Sequence, residues 1–404
     1  MTYSFDKEDV KHLHLEISSL CNAACMSCPR FFRNTPWTRP GLEITYWTLE
    51  DFKTYLPLSF LSGIRSINMC GNHGDPGTCK DLLPIVQYLD SIGLQQLRIH
   101  TNVGMKQPEM WSELGKIFAK NDLWLMIFSV DGLEDTNHIY RRNVKWNKVE
   151  ANIKAYTQHG GMSQWDYLIF QHNEHQIEEA RQCSKEWGID MFVPKKAIAS
   201  GDRSARDKDG KHEYFVHPPS DENNKNNFND SVFVKRDVSK IDYKEIVDRP
   251  INENAYPGKL VIDEEWDKVE IIPRCEQEIY IDASGNVMPC CWSAISLPMM
   301  NEMKKDGSFH GFFEHYQMDK RIKEVGGLDK LSLRVNSIHD VLDSGVLKDL
   351  FSDHWDKTTE CGKMAICSKT CGQKNVLDDI YTHEGNENPY YHSKTKLKVN
   401  KGVA

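Results

Sequence analysis

Cys21, Cys25 and Cys28 stand at C-x3-C-x2-C spacing in the eight-residue stretch Cys21-Asn22-Ala23-Ala24-Cys25-Met26-Ser27-Cys28. A loop of this kind can wrap its sulfurs around one face of a small metal cluster. Asn22, Met26 and Ser27 are poor ligands for iron, so the loop offers no further donor of its own. Iron–sulfur clusters ordinarily take four cysteine thiolates, and a three-thiolate site leaves one iron open to a ligand that is not protein. An open coordination position marks a catalytic metal site rather than a closed structural one. The competing chemistry for the same residues is a zinc knuckle.

A second cysteine group lies far downstream: Cys275-x9-Gly285-x4-Cys290, with Cys291 adjacent, then Cys361-x5-Cys367-x3-Cys371. Its first half reads as a hairpin. Glu278–Asp282 alternates apolar and polar, Ala283-Ser284-Gly285-Asn286 makes the turn, and Val287–Cys290 returns. Spacing of this sort holds either iron–sulfur or structural zinc. Cys183, on an expected helix, reads as a buried small hydrophobe, and Cys79 reads the same way.

The elements that must position these groups follow from periodicity. Strands are expected at His12–Ser18, Ile64–Met69, Leu97–Thr101, Leu123–Val130, Tyr167–Gln171 and Asp190–Val193. Helices are expected near Leu49–Tyr55, Cys79–Ser91, Pro108–Lys120, Lys145–His159 and His175–Trp187. Alternating strand and helix argues for a parallel sheet. The run is too short for eight units, so an α/β fold with a partial, TIM-like (β/α)6 barrel is expected. The first cysteine loop begins where the first strand ends, the end at which α/β barrels build their sites. The expected organisation is a core barrel over 1–200, a polar insertion or linker over 201–265, a small α+β domain over 266–380 and a polar tail over 381–404.

Bulk properties exclude several classes. The net charge of −9 provides no global basic field for nucleic acid. No apolar run reaches membrane-spanning length, and the polar, charged N-terminus does not read as a signal peptide. Twelve Cys in an unexported chain argue for metal binding rather than disulfides, and a cytoplasmic location is expected.

The Cys21/Cys25/Cys28 triplet after a first strand resembles the hallmark of the radical S-adenosylmethionine (SAM) superfamily. The resemblance implies a [4Fe–4S] cluster whose open iron binds the amino and carboxylate groups of SAM. Many members carry an aromatic residue just before the third Cys, where this chain has Ser27. After the second strand, Gly74-Asp75-Pro76 resembles a G-G-E-P-like motif, with Asp in place of Glu. Glycine lets backbone approach a ligand closely, and the acid would accept from the ammonium of SAM. Thr101-Asn102 resembles a T-N-G element, although Val103 intervenes before Gly104. Ser129-Val130-Asp131-Gly132 resembles an S-x-D-G element, whose Ser129 and Asp131 would approach the ribose and methionyl part. Arg141 and Arg142 follow where the family places an Arg near the SAM carboxylate, which suits a guanidinium fork. Arg141 is favoured, and a solvated helix start is the plain alternative for the pair. Asn173 sits where the family supplies an adenine or ribose contact.

The second cysteine group resembles the SPASM domain, a C-terminal extension of radical SAM enzymes that modify peptides. Its full pattern has seven Cys and two auxiliary clusters. This chain keeps five, with Thr358 in the place of one Cys and no Cys after Cys371. That implies one auxiliary cluster, [4Fe–4S] or [2Fe–2S], in the abbreviated form called a twitch domain. Cys275, Cys290 and Cys371 would be ligands, with Cys361 or Cys367 as the fourth.

Together the resemblance implies reductive cleavage of SAM to a 5′-deoxyadenosyl radical, fed by a low-potential donor of flavodoxin or ferredoxin type. Hydrogen abstraction would then lead to dehydrogenation or cross-linking of a peptide or protein side chain, with the auxiliary cluster as electron acceptor. Oxidation or rearrangement of a sugar- or nucleotide-type small molecule is the alternative. A base is required. Asp282, Glu276, His73 and the acids of 202–222 are available, and nothing selects among them, although His73 reads first as a loop hydrogen-bonder. Remoter alternatives are a zinc-binding structural or nucleic-acid-binding protein and a two-cluster electron carrier. The open three-Cys loop and the ordered elements after it count against both.

Overall fold

In the computed structural model the described residues are 5–32, 34–197, 204–220, 267, 270–271, 273, 275, 277–300 and 313–373. Glu276, Asp202, the stretch 221–265 and the polar tail lie outside them.

In chain order the elements begin with β1 (His12–Leu15), α1 (Leu49–Tyr55), α2 (Leu58–Leu61), β2 (Ser66–Met69), α3 (Leu82–Ser91) and β3 (Gln96–Thr101). They continue with α4 (Pro108–Phe118), β4 (Leu125–Ser129), α5 (Asn137–Tyr140), α6 (Trp146–Thr157), β5 (Ser163–Ile169), α7 (Ile177–Glu186) and β6 (Met191–Lys196). A hairpin of β7 (Ser204–Arg206) and β8 (His212–Phe215) follows. The C-terminal part holds β9 (Glu270–Ile271), β10 (Glu278–Ile281), β11 (Val287–Met288), α8 (Cys291–Ala294), α9 (Leu297–Met300) and α10 (Phe313–Glu324). It ends with α11 (Ile338–Asp343), α12 (Val346–Leu350), α13 (Ala365–Cys371) and β12 (Gly372–Gln373). The fold class is α/β, a mostly parallel sheet with helices. The successive β/α units are those of the partial (β/α)6 core, and a small α+β part follows.

The chain falls into two compact units, one of Met1–Ser19, Arg39–Asn72 and Arg249–Thr382, the other of Leu20–Thr38, His73–Asp248 and His383–Ala404. In the first unit β1 pairs in parallel with both β2 and β10, and β10 turns back on β11 as the expected hairpin. Gly285 supplies the turn's left-handed backbone at φ +85. Asp282 fixes the turn by accepting from the Asn286 N–H at 2.8 Å and its Nδ2 at 2.9 Å. That candidate base is therefore a turn residue. Leu13, Leu15 and Ile17 alternate with polar neighbours and are fully buried. On the opposite face Tyr280 donates to Glu16 Oε2 at 2.7 Å, and His14 Nε2 donates to the Cys70 carbonyl at 2.6 Å. α1 starts at a capping box in which Thr48 and Asp51 satisfy each other's backbone N–H.

In the second unit β3, β4, β5 and β6 run parallel in sequence order. Leu125–Phe128 of β4 is buried without interruption, the pattern of a parallel strand covered on both faces. α4 packs on α6 so closely that a Cβ at Gly115 would stand 2.3 Å from the Tyr156 carbonyl. β5 begins at Ser163, ahead of its expected start, because Trp165 packs inward against Trp187 in a stacked pair with centroids 5.4 Å apart. The β7–β8 hairpin lies within the stretch expected as a polar insertion or linker. Its polar composition hid a short ladder whose Ala205 is buried among Met26, Phe170, Ala197 and Val216. Asp207 caps the hairpin turn, accepting from the N–H groups of Asp209 and Lys211.

Candidate active site

The second unit gathers most of the chemistry-bearing loops. Leu20 opens the cysteine loop, and its carbonyl accepts from the Asp75 N–H and from Thr78 Oγ1, each at 2.8 Å. The loop after β2 is thereby tied to the loop after β1. Asp75 is buried, and both of its oxygens are engaged. Oδ1 accepts from the Gly77 N–H at 2.8 Å, and Oδ2 accepts from the Asn102 N–H at 2.7 Å and from Asn102 Nδ2 at 2.8 Å. Burial pushes the Asp75 carboxyl upward against the pull of these donors. Gly74 beside it is partly exposed.

Asn102 joins this loop to the cysteines. Its Nδ2 also donates to Asn22 Oδ1 at 2.9 Å and approaches Cys21 Sγ at 3.7 Å. Its Oδ1 accepts from the Gly104 N–H at 3.0 Å. A Cβ at Gly104 would lie 2.7 Å from a Val144 methyl and 3.2 Å from Asn22 Nδ2, so this approach requires glycine. Asn152 fixes the same loop from α6, donating to the carbonyls of Val103 and Met105. Neither Asn22 nor Asn152 was singled out by the sequence, because an Asn carries no pattern until its partners are known.

Ser129 ends β4 in a partly exposed position. Asp131, fully buried just beyond it, accepts from the Leu168 N–H at 2.7 Å and pairs with Arg141 Nε at 2.6 Å. Asn173 is also buried, and its side chain bonds to backbone throughout: Nδ2 donates to the carbonyls of Asp131 and Leu168, and Oδ1 accepts from the Phe170 N–H. It staples the end of β5 to the loop after β4.

The structure separates the two arginines. Arg142 spends its guanidinium on backbone carbonyls, whereas Arg141 pairs with Asp131 and acts electrostatically on Cys25. Burial pulls the Arg141 guanidinium down, but Asp131, Cys25 and Tyr140 together raise it. Burial pushes the Cys25 thiol up to about 12, with Arg141 pulling the other way and Cys28 and Asp131 adding to the rise. Cys21 is raised well above its ordinary value, by burial first and then by Asp75 and Cys25. The three thiols interact electrostatically, beside one cation and one amide N–H donor. That donor set fits an iron–sulfur cluster ligated from one side. His73 is buried, with its carbonyl accepting from Arg30 Nη1.

The second cysteine group lies in the first unit. β9 and β12 pair antiparallel, with Gly372 opposite Ile271, which brings the end of α13 beside the chain leading to Cys275. Cys367 and Cys371 are four apart on α13 and so share a face. Both pack with Trp355 against Ile271 and Ala365. Burial raises the Cys275 thiol well above its usual value, with further contributions from Cys290, Cys371 and Cys367. Burial likewise raises Cys367, with Cys290 and Cys371 contributing. Cys361 stands apart and exposed, its carbonyl bonded to His354 Nδ1. Four mutually interacting thiols fit an auxiliary cluster. Among the described residues, no three or more His, Cys, Asp and Glu side chains form a ready site for a single metal ion. Cys79 is buried, as expected for a small hydrophobe, whereas Cys183 is partly exposed.

No known family model matches the chain, and no curated protein matches it in sequence. Among solved structures, Streptococcus suis SuiB bound to S-adenosylmethionine is 16% identical at a TM-score of 0.42, over 70% of this chain and 61% of SuiB. SuiB bound to precursor peptide SuiA is 15% identical at 0.43, over 76% and 64%. BtrN in complex with AdoMet and 2-DOIA is 14% identical at 0.38, over 92% and 94%. The chain thus spans less than two thirds of the length of SuiB. These likenesses are distant, and the functional reading rests on the chain's own residues. No described helix is long and apolar enough to cross a membrane.

Proposed function

We propose that the chain is a radical SAM enzyme that oxidatively modifies a peptide or protein side chain. The observation that carries this reading is the open three-thiol loop meeting the loops after β3 and β4, through Asn102 at Cys21 and Arg141 beside Cys25. Cys21, Cys25 and Cys28 would hold a [4Fe–4S] cluster, and Cys275, Cys290, Cys367 and Cys371 an auxiliary one. When bound, these cofactors would supply electron transfer into SAM, hydrogen abstraction from substrate and an acceptor for the substrate's second electron.

The residues of the chain supply position and field. Arg141, pinned by Asp131, is the cation for a SAM carboxylate. Asn102, fixed by Asp75, directs an N–H at the Cys21 sulfur, and hydrogen bonds to cluster sulfurs tune potential. Asp75 has both oxygens occupied by main-chain and side-chain N–H groups, so it acts first by holding Asn102. Asn173 holds the end of β5. Buried Ala23, Ala24 and Met26 keep water from the loop's inner side. The peptide assignment rests on the SPASM-like spacing of the second cysteine group, and the electron would come from a flavodoxin- or ferredoxin-type donor. The core is assigned to 1–200 and the auxiliary domain to 266–380.

The test is anaerobic reconstitution with iron and sulfide, then SAM and a strong reductant. About eight irons per chain with 5′-deoxyadenosine formed is the expected result. No iron and no cleavage under strict anaerobiosis would sink the proposal. The auxiliary ligand set has its own test. Cys290→Ala is expected to lose about four irons and substrate oxidation while SAM cleavage stays measurable. Cys361→Ser should keep full iron. Normal turnover by the Cys290 variant would remove the electron-acceptor role, and loss of iron in the Cys361 variant would change the ligand set.

A further inference from the structure

We propose that Arg142 is the positioning residue of the Cys21–Cys28 loop, a guanidinium clasp that sets the loop's backbone before any metal is bound. The inference rests on the reading of that loop as a cluster site.

Three nitrogens of Arg142 donate to carbonyls of three separate segments. Nε reaches Ala24 O at 2.8 Å, Nη2 reaches Asn34 O at 3.0 Å and Nη1 reaches Arg206 O at 2.9 Å. The main chain reciprocates, with the Ala24 N–H donating to the Arg142 carbonyl at 2.9 Å. Ala24 immediately precedes Cys25. Asn34 carries the effect to the other half of the loop, because its Oδ1 accepts from the N–H of Ser27, the residue before Cys28, at 2.9 Å. Residue 142 therefore acts on the backbone ahead of two of the three thiols.

The loop needs such a restraint. Ser27 and Asn34 both adopt positive φ, at 61 and 59 degrees, where non-glycine residues rarely sit. Strain of this kind persists only where surrounding structure over-determines it. The Arg142 side chain is only 12% exposed, and its nearest carboxylate, Glu213 at 3.6 Å, is a half-exposed partner of little strength. The guanidinium is thus held chiefly by carbonyls. Arg206 also donates its N–H to Asn34 O at 3.3 Å, so the β7–β8 hairpin joins the same junction. A planar fork can serve three diverging carbonyls at once. An ammonium at one point cannot, so lysine is no equivalent here.

The test uses the full chain carrying Arg142→Lys, with Arg142→Gln as a second variant. Arg181→Lys, a buried arginine on α7, is the control for general loosening. Two quantities are read: release of iron to a chelator from the reconstituted protein, and amide hydrogen exchange at Ala24 and Ser27 in the metal-free protein. Outer-shell residues of metal sites typically change affinity by 10–100-fold, so iron release is expected to quicken by about 10–100-fold in both Arg142 variants. Both amides should exchange faster in step, while the control matches wild type. Iron release and exchange within about twofold of wild type would overturn the inference. So would faster release with unchanged exchange, since the clasp acts through the loop backbone. If wild-type protein held no iron, the cluster reading would fail, and amide exchange would still decide whether the clasp exists.

Discussion

Cys25→Ala is expected to abolish SAM cleavage and to lower the reconstituted iron content from about eight to about four atoms per chain. The reasoning begins with the count of donors. The loop supplies three thiols and no substitute, so losing one leaves two protein ligands for a cluster that already has an open position. Arg141 also acts electrostatically on Cys25. Cys21→Ala and Cys28→Ala should behave alike. Cys183→Ala, on α7 and outside both cysteine groups, should leave both readouts unchanged. Iron analysis and 5′-deoxyadenosine formation decide the matter. Full iron with normal cleavage in the Cys25 variant would end the assignment of this loop as the catalytic cluster site.

Breaking the Asp131–Arg141 pair should carry the largest stability effect. Asp131 is fully buried and the Arg141 side chain 14% exposed, with Oδ2 and Nε 2.6 Å apart. Arg141→Met strands a buried carboxylate, and removing one partner of a buried pair typically costs about 3–5 kcal/mol. The double variant Asp131→Asn/Arg141→Met should cost clearly less than the sum of the single changes. Asn keeps an acceptor for the Leu168 N–H, and no unpaired charge remains.

The pH dependence follows from the direction of the shift. Burial already raises the Asp131 carboxyl, and Arg141 opposes that rise. Without Arg141 the folded-state value rises further above the unfolded one. Between the two values the native chain then binds more protons than the unfolded chain, so stability falls as pH increases. The penalty of Arg141→Met should therefore fade below the unfolded carboxylate's value, near pH 4, and be full above the raised one. Urea unfolding of metal-free protein across pH tests this separately from any role at SAM. A flat profile, or additive single and double changes, would mean that the pair carries no coupling.

Much of the candidate site was legible because its signals are local. The C-x3-C-x2-C spacing, the strand before it and the Gly-Asp-Pro turn each lie within a few residues, and short-range sterics and hydrogen bonding decide such stretches. Asn102 and Asp131 were singled out by their resemblance to T-N-G and S-x-D-G elements, short motifs that stand just past the ends of β3 and β4. The 278–290 hairpin was equally readable, since its alternation and glycine turn determine one another.

The sequence by itself determined the α/β class, the order of the β/α units and the candidate metal-binding cysteines. The tertiary structure decided which of those residues meet. It set β10 beside β1 in parallel, and it drew Cys367 toward Cys275, Cys290 and Cys371 while leaving Cys361 exposed. It gave Arg141 to the buried carboxylate and Arg142 to three carbonyls. Adjacent arginines look alike in sequence because their intrinsic chemistry is the same. Only the positions of distant segments distinguish them, and those positions come from burying apolar faces across the whole chain. The β7–β8 hairpin is the same case: its strands are short and polar, and the apolar contact that holds Ala205 is made with Met26, Phe170, Ala197 and Val216, residues whose proximity no local pattern encodes.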